Sequence, residues 1–111
     1  MNYSAYKNVN LLGGLLREKQ ELNRKITIHA VWKQFENTGR IGAFSCDWEE
    51  GMEQKPHIFW DSDVAKWMEG ASYILAKTRD KELEAKIESL IDKFETNQQP
   101  DGYFNIYYTI R

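Results

Sequence analysis

The sequence has 111 residues, enough for one domain at most, and its 41% hydrophobic and 29% charged residues are typical of a globular domain. No run approaches the roughly 18 apolar residues of a membrane span, and the opening segment lacks the basic start and long apolar run of a secretory signal, so we expect a cytoplasmic protein without a membrane partner. The net charge of −2 disfavours strong binding to nucleic acid, although residues 1–40 hold seven Lys or Arg against three Glu.

The first predicted helix covers residues 12–35. Gly13 and Gly14 leave its start poorly defined, because glycine in a helix interior costs up to about 1 kcal/mol. Gly39 is a plausible stop signal. Apolar residues recur at helical spacing on one stripe, and charged residues lie elsewhere around the helix. The stripe consists of Leu12, Leu15, Leu16, Leu22, Ile26 and Ala30.

A long connection is predicted over residues 36–60. Connections of that length in a compact domain are usually functional or disordered, and the aromatic residues in this one argue against disorder. His57, Phe59 and Trp60 follow no periodicity that would assign them to a core. They are therefore the better candidates to face a pocket, where aromatic faces can stack on sugar rings or bases.

The second predicted helix follows directly, with apolar residues at the spacing i, i+3, i+4, i+7 and i+11. These residues are Val64, Trp67, Met68, Ala71 and Leu75. Asp61 or Ser62 is expected to cap its first turn by accepting a backbone hydrogen bond. Asp63 lies where the helix dipole favours a negative charge.

The third predicted helix begins after Asp80, its expected N-cap. Its apolar residues are Leu83, Ile87, Leu90, Ile91 and Phe94. Only residues 77–80 separate it from the second helix, so the two are expected to form an antiparallel hairpin. Pro100, Asp101 and Gly102 have the chemistry of a turn, and the aromatic segment after them is expected to be extended.

The residues alone show no complete catalytic constellation. His29 and His57 are far apart and lie in no zinc-binding motif. Cys46 and His57 share the long connection, but a lone cysteine is more often a small buried apolar residue than a nucleophile. Asp61 and Asp63 are close neighbours at a helix start, whereas glycosidase carboxylates flank a bond from opposite sides at roughly 5 to 9.5 Å. Capping explains them without catalysis.

Four blocks of the sequence carry a resemblance to a known family. FWDSDVAKWMEGASYILA at 59–76 resembles the most recognisable signature of glycoside hydrolase family 127, the β-L-arabinofuranosidase family. Three further blocks resemble that family in order: residues 21–41, with ELNRKITIHAVWKQFENTGRI, residues 44–64, and residues 97–110, with NQQPDGYFNIYYTI. Together they cover about 90 of the 111 residues.

The resemblance implies an all-α fold. Antiparallel helix hairpins would form the opening part of an (α/α)₆ toroid, with the long aromatic-rich loop between helices. Residues 1–111 would then be a single partial domain, the N-terminal part of a catalytic domain.

The resemblance also implies a retaining glycosidase that acts on terminal L-arabinofuranosyl or related sugars. Its nucleophile is a cysteine in a zinc site of cysteines and a glutamate, and a second glutamate is the acid/base. Cys46, the only cysteine, stands in none of the family's zinc-ligand contexts. No catalytic residue, metal ligand or cofactor is therefore carried over to this chain, although the parent family uses zinc.

One sugar-contacting position can be carried over from the family. The residue after glycine in the TGRI block lies near the sugar pocket in some members, and here it is Arg40. The other interpretation is a guanidinium paired with a carboxylate, which its fork of donors fits well. The candidate substrate-binding residues are thus Arg40, His57 and Trp60.

Three hypotheses of function follow from the sequence. The first is a fragment of a family 127 enzyme, inactive alone, that meets its carbohydrate substrate through the complete enzyme. The alternative is a small stand-alone helical protein that binds a sugar or a protein through exposed aromatics, although helices built for a toroid would leave apolar faces open to self-association. A nucleic-acid binder would use Arg17, Arg24 and Lys25, but Glu18 and Glu21 intervene, so no nucleic-acid partner is expected.

Overall fold

The computed structural model describes residues 8–110, and every regular element in that range is helical. This confirms the all-α prediction. The elements in chain order are α1 (Gly14–Leu22), a π-helical turn (Asn23–Thr27), α2 (Ile28–Asn37), a 3₁₀ turn (Gly42–Ser45), α3 (Trp60–Lys77), α4 (Lys81–Asn97) and the short α5 (Ile106–Thr109).

The predicted first helix is one helical run made of α1, the π turn and α2. It ends at Asn37, and Gly39 follows with φ +87°, a conformation that suits glycine and stops the helix as predicted. The predicted apolar stripe is nevertheless exposed, with Leu12 at 95% and Ile26 at 60%. The buried positions are Ile28 and Trp32, because within the described residues the core lies against α2 and not against α1.

The core joins α2 to α3 through two tryptophans. Trp67 of α3 donates its indole N–H to the carbonyl of Ile28 at 2.8 Å, and its ring centre lies 4.8 Å from that of Trp32. The predicted buried stripe of α3 is confirmed at Val64, Trp67 and Ala71. Ile74 completes the buried set, whereas Leu75 is only partly buried.

The predicted cap of α3 was wrong. The helix begins at Trp60, so Asp61 and Ser62 lie inside its first turn, and Phe59 takes the cap position without a side-chain hydrogen bond. The expected acidic charge near the positive end of the helix dipole is present as Asp61 and Asp63.

The hairpin of α3 and α4 is confirmed. Asp80 caps α4 as predicted, accepting a hydrogen bond from the backbone N–H of Leu83 at 3.0 Å. Leu83 and Leu90 are fully buried, but Ile91 is 41% exposed and is not among the residues packed against the core.

The C-terminal segment closes the core. The predicted turn is present, with Gly102 at φ +91° and Asp101 accepting a hydrogen bond from the N–H of Tyr103. The segment is not extended throughout, since Asn105 caps the short helix α5. Its first residue, Ile106, is fully buried.

An aromatic cluster anchors the 3₁₀ turn. Phe104 stacks on Phe44 with ring centres 5.6 Å apart and meets the edge of Phe94 at 4.9 Å.

No helix in the part of the chain that the structure describes has the length and hydropathy to cross a membrane.

Candidate functional site

The candidate site lies where α3 begins and the chain leaves α2. Arg40 follows the Gly39 stop of α2, and its guanidinium carbon lies 5.3 Å from the ring centre of Trp60, the first residue of α3. The other aromatic neighbour is Phe35, at 5.7 Å. Both distances are within the roughly 6 Å range of a cation–π contact. The structure therefore brings together two of the three predicted sugar-binding residues.

Hydrogen bonds fix the direction of the Arg40 side chain. Its Nε donates to Oδ2 of Asp63 at 3.0 Å, and its Nη1 donates to the hydroxyl of Thr38 at 2.9 Å. The guanidinium–carboxylate pair that the sequence left open for Arg40 is thus formed. Both side chains are half-buried, so the pair is a positional link more than a large source of stability.

The neighbouring Asp61 makes a second link. One of its oxygens accepts the N–H of Ser62 at 2.8 Å, and the other accepts the N–H of Ile106 at 3.4 Å. The two aspartates at the start of α3 therefore hold two different segments, the exit of α2 and the start of α5. Both carboxylates are thus engaged in contacts that hold the fold.

His57 completes the corner from the long connection. Its carbonyl accepts the N–H of Trp60 at 3.1 Å, and its ring Nδ1 accepts the N–H of Phe59 at 3.2 Å. The His57 ring centre lies 5.2 Å from that of Phe59, and both side chains are exposed. The imidazole of His57 is therefore an exposed polar group beside an aromatic ring.

The long connection before this corner is held by side chains. Gln54, at φ +54°, donates its amide N–H to the carbonyl of Asn37 at 2.9 Å. A Cβ on Gly39 would lie only 2.8 Å from the Gln54 Oε1, so the glycine leaves room for this contact. Trp48 donates to the carbonyls of Met52 and Glu53 at 3.3 and 3.2 Å. Hydrogen bonds therefore hold this part of the loop, although residues 49–55 are exposed.

The described residues do not fit the zinc site that the resemblance implies. Cys46 is partly buried, and burial raises the pKa of its thiol, with Asp47 and Asp61 raising that pKa further. A zinc ligand or nucleophile needs the opposite shift, toward the thiolate. Among residues 8–110, no three His, Cys, Asp or Glu side chains converge as they would to hold a metal ion.

The corner combines aromatic rings with polar groups. Trp60 and Phe59 supply flat apolar surface, while Arg40 and His57 supply polar groups at its edge. The sequence did not show that Phe35, Thr38 and Asp63 would surround Arg40. Their spacing carries no motif, because the contacts join the end of one helix to the start of another.

Known proteins match both the sequence and the fold. A family model described as the β-L-arabinofuranosidase GH127 catalytic domain matches residues 8–111. A non-reducing end β-L-arabinofuranosidase of Bifidobacterium longum is 44% identical over 54 residues, which are 49% of this chain and 8% of that protein. A solved structure of a GH127 β-arabinofuranosidase is 29% identical to this chain and matches its fold with a TM-score of 0.83. The match covers 95% of this chain and 17% of the solved chain.

Proposed function

Because the chain belongs to the GH127 β-L-arabinofuranosidase family, we propose that it forms the N-terminal part of an (α/α)₆ glycoside hydrolase catalytic domain. The parent enzyme would act on terminal L-arabinofuranosyl or related sugars. The observation that carries this proposal is the family match over residues 8–111, together with the agreement of the fold with a solved member. The chain spans 17% of that solved structure and 8% of the curated relative.

The exposed side of α1 supports membership of a larger domain. Large apolar side chains lie open on this helix, just before it and in the π-helical turn after it, while the polar side of the helix faces α3. The open side chains are Leu12, Leu15, Leu16, Leu22 and Ile26. A contiguous apolar face of this kind marks a surface that another element covers. In a complete catalytic domain, neighbouring helices would cover it.

We propose that Arg40, His57 and Trp60 form one side of the sugar pocket. Trp60 would stack on the sugar, and Arg40 would donate hydrogen bonds to hydroxyl oxygens from N–H groups other than the two that hold Asp63 and Thr38. His57 would contribute its imidazole at the rim. The nucleophile and acid/base would come from the remainder of the domain, so the chain alone would be inactive.

A chimeric enzyme tests this proposal. Residues 8–111 would replace the matching segment of the solved GH127 β-arabinofuranosidase, and release of p-nitrophenol from an aryl β-L-arabinofuranoside would be followed. We expect the chimera to be active and the isolated chain to be inactive. Arg40→Met in the chimera should raise KM at least about tenfold, since it removes charge-assisted hydrogen bonds. Lys33→Met, an exposed cation on α2, is the matched control and should leave KM unchanged.

A folded chimera without hydrolysis would contradict the proposal, as would p-nitrophenol release by residues 1–111 alone. Equal effects of Arg40→Met and Lys33→Met would remove Arg40 from the pocket while leaving the family role in place.

The fragment hypothesis and the stand-alone hypothesis predict different behaviour for the isolated chain. For a fragment, we propose that the open apolar face causes self-association, which would appear in sedimentation velocity as species heavier than 13.1 kDa and as binding of a hydrophobic dye. A monomer with a sharp melting transition and no dye binding would favour a stand-alone helical protein.

A further inference from the structure

A cluster of titratable side chains joins α2 to the start of α4, away from the candidate sugar site. His29 lies on the first turn of α2, with its Nδ1 3.0 Å from the Nζ of Lys86 and its Nε2 3.4 Å from Oδ2 of Asp80. The imidazole therefore contacts a cation on one side and an anion on the other. The three side chains are only 18–22% exposed, so water and salt screen their charges less than those of a fully exposed pair.

The contact with Lys86 fixes which ring nitrogen of His29 carries the hydrogen. A lysine ammonium has three donors and no acceptor, so the Nδ1 of His29 must accept. The neutral ring then holds its hydrogen on Nε2, which faces the carboxylate of Asp80. A neutral imidazole in this tautomer suits both neighbours, whereas the other tautomer would set an N–H against the ammonium.

Protonation of His29 reverses one of these two contacts. A hydrogen on Nδ1 faces the Lys86 ammonium across 3.0 Å, so an attraction becomes a repulsion between like charges. The contact with Asp80 changes in the opposite sense, because an imidazolium is a stronger partner for a carboxylate than a neutral ring is. His29 would therefore stay at Asp80 and lose Lys86.

Lys86 has a second partner that can keep it paired after its release. Its Nζ lies 3.2 Å from Oε1 of Glu82, one turn earlier on α4, and the side chain of Glu82 is 72% exposed. In the position beside His29, Nζ also lies 5.7 Å from the ring centre of Trp32, within the roughly 6 Å range of a cation–π contact. Lys86 can thus leave the side of α2 and stay paired toward solvent on its own helix.

The other charged groups around this cluster lie at its edge. Arg24, in the π-helical turn, pairs with Glu21 at 2.7 Å, and Glu21, followed by Asp80, raises the pKa of Arg24. The cations nearest in sequence to His29 and Asp80 are exposed: Lys25, Lys33, Arg79 and Lys81. Lys86 therefore makes the close cationic contact with the His29 ring.

We propose that His29 is a pH-sensitive clasp between α2 and α4, which holds Lys86 while its imidazole is neutral and releases it when the imidazole is protonated. Histidine is the side chain whose charge ordinarily changes between about pH 5 and pH 8, so a switch built on it acts in that range. The contact of α2 with α4 would loosen in acid, while the connection at Asp80 stays held. This clasp is independent of the corner at Arg40 and of the proposed glycosidase activity.

Double-mutant cycles on the 111-residue chain test the proposal. Urea unfolding of wild type, His29→Ala, Lys86→Met and the double variant gives the coupling between the two side chains at about pH 8 and at about pH 5. We expect the coupling to favour the folded state at the higher pH by about two- to tenfold in the unfolding equilibrium constant, as for a hydrogen bond. At the lower pH it should vanish or change sign.

Two further cycles separate the clasp from a general effect of acid. Asp80→Asn keeps an N-cap acceptor, and its coupling with His29→Ala should grow from the higher pH to the lower. Lys66→Met changes an exposed lysine on α3 and should show no coupling with His29→Ala at either pH. A coupling between His29 and Lys86 that is absent at the higher pH, or equal at both, would overturn the proposal. So would a coupling to Asp80 that shrinks in acid, or a coupling to Lys66 as large as that to Lys86.

The ring nitrogens of His29 give a second measurement that needs no change to the cluster. In the ¹⁵N-histidine-labelled chain at about pH 8, two-bond ¹⁵N–¹H correlations should show the hydrogen of His29 on Nε2. His57 is the only other histidine, so His57→Gln assigns the signals. The Nδ1–H tautomer of His29 would overturn the proposal whether or not Lys86→Met folds.

Discussion

Replacement of Asp80 by alanine should weaken the α3–α4 hairpin at its connection. The change removes the acceptor of the Leu83 N–H at 3.0 Å and the partner of the His29 Nε2 at 3.4 Å. Loss of an N-cap costs about 1 kcal/mol on average and up to about 2 kcal/mol. The Leu83 side chain is fully buried and its N–H is partly buried, so water replaces the lost acceptor poorly. We expect a loss of about 1–2 kcal/mol in the free energy of unfolding.

Urea unfolding followed by circular dichroism measures this loss, and Asp80→Asn is the matched control. Asparagine caps a helix about as well as aspartate, so this variant should lose only the interaction of the charge with the helix dipole and His29, about 0.5 kcal/mol. Equal losses for the two variants would refute the capping argument.

The pH dependence of the Asp80 contribution has a definite sign. The hydrogen bond from Leu83 and the nearby His29 hold the pKa of Asp80 below its ordinary value. The unfolded chain therefore takes up the proton first as the pH falls, and the stabilisation by the carboxylate charge is present above about pH 4 and is lost below it. The difference between wild type and Asp80→Ala should shrink across that range. A difference that stays constant down to pH 2.5 would contradict the assignment.

Two other substitutions test the packing around the candidate site and the core. Gly39→Ala should lower the free energy of unfolding by about 1–3 kcal/mol, because it strains a φ of +87° and places a Cβ 2.8 Å from the Gln54 Oε1. The control Gly51→Ala, at φ +98° with open space around it, should lower it by only about 1 kcal/mol. Equal losses in urea unfolding would show that the Gln54 contact does not contribute. Trp67→Phe should cost about 1–2 kcal/mol by removing the buried hydrogen bond to Ile28, and an unchanged thermal melting midpoint would show that this bond contributes nothing.

Local features made the helices predictable from the sequence. The Asp80 cap, the Gly39 stop and the apolar spacing from Val64 to Ala71 each act over one or two helical turns, and each is confirmed. The start of α3 was not predicted correctly, because its N-cap residue is Phe59, whose side chain makes no capping hydrogen bond. The sequence therefore carries no capping signal before Trp60.

The surroundings of Arg40 and the exposure of α1 depend on distant segments. Arg40 meets Asp63 across 23 positions of sequence, and Asp61 meets Ile106 across 45. Periodicity also identified the apolar side of α1 but carried no information on what covers it. An apolar pattern indicates that one face of a helix is apolar, but the element that covers this face depends on the rest of the fold.

The π-helical turn at Asn23–Thr27 sets the angular phase between the two halves of the first helical run. Each helical residue advances by about 100°, so deleting one residue to restore ordinary α-helical bonding would rotate α1 by about that angle against α2. Ile28 and Trp32 are fixed in the core, so α1 would be the half that turns. Arg17 and Glu21 would then turn away from Lys77 and Thr78 at the end of α3, with which they now line one cavity.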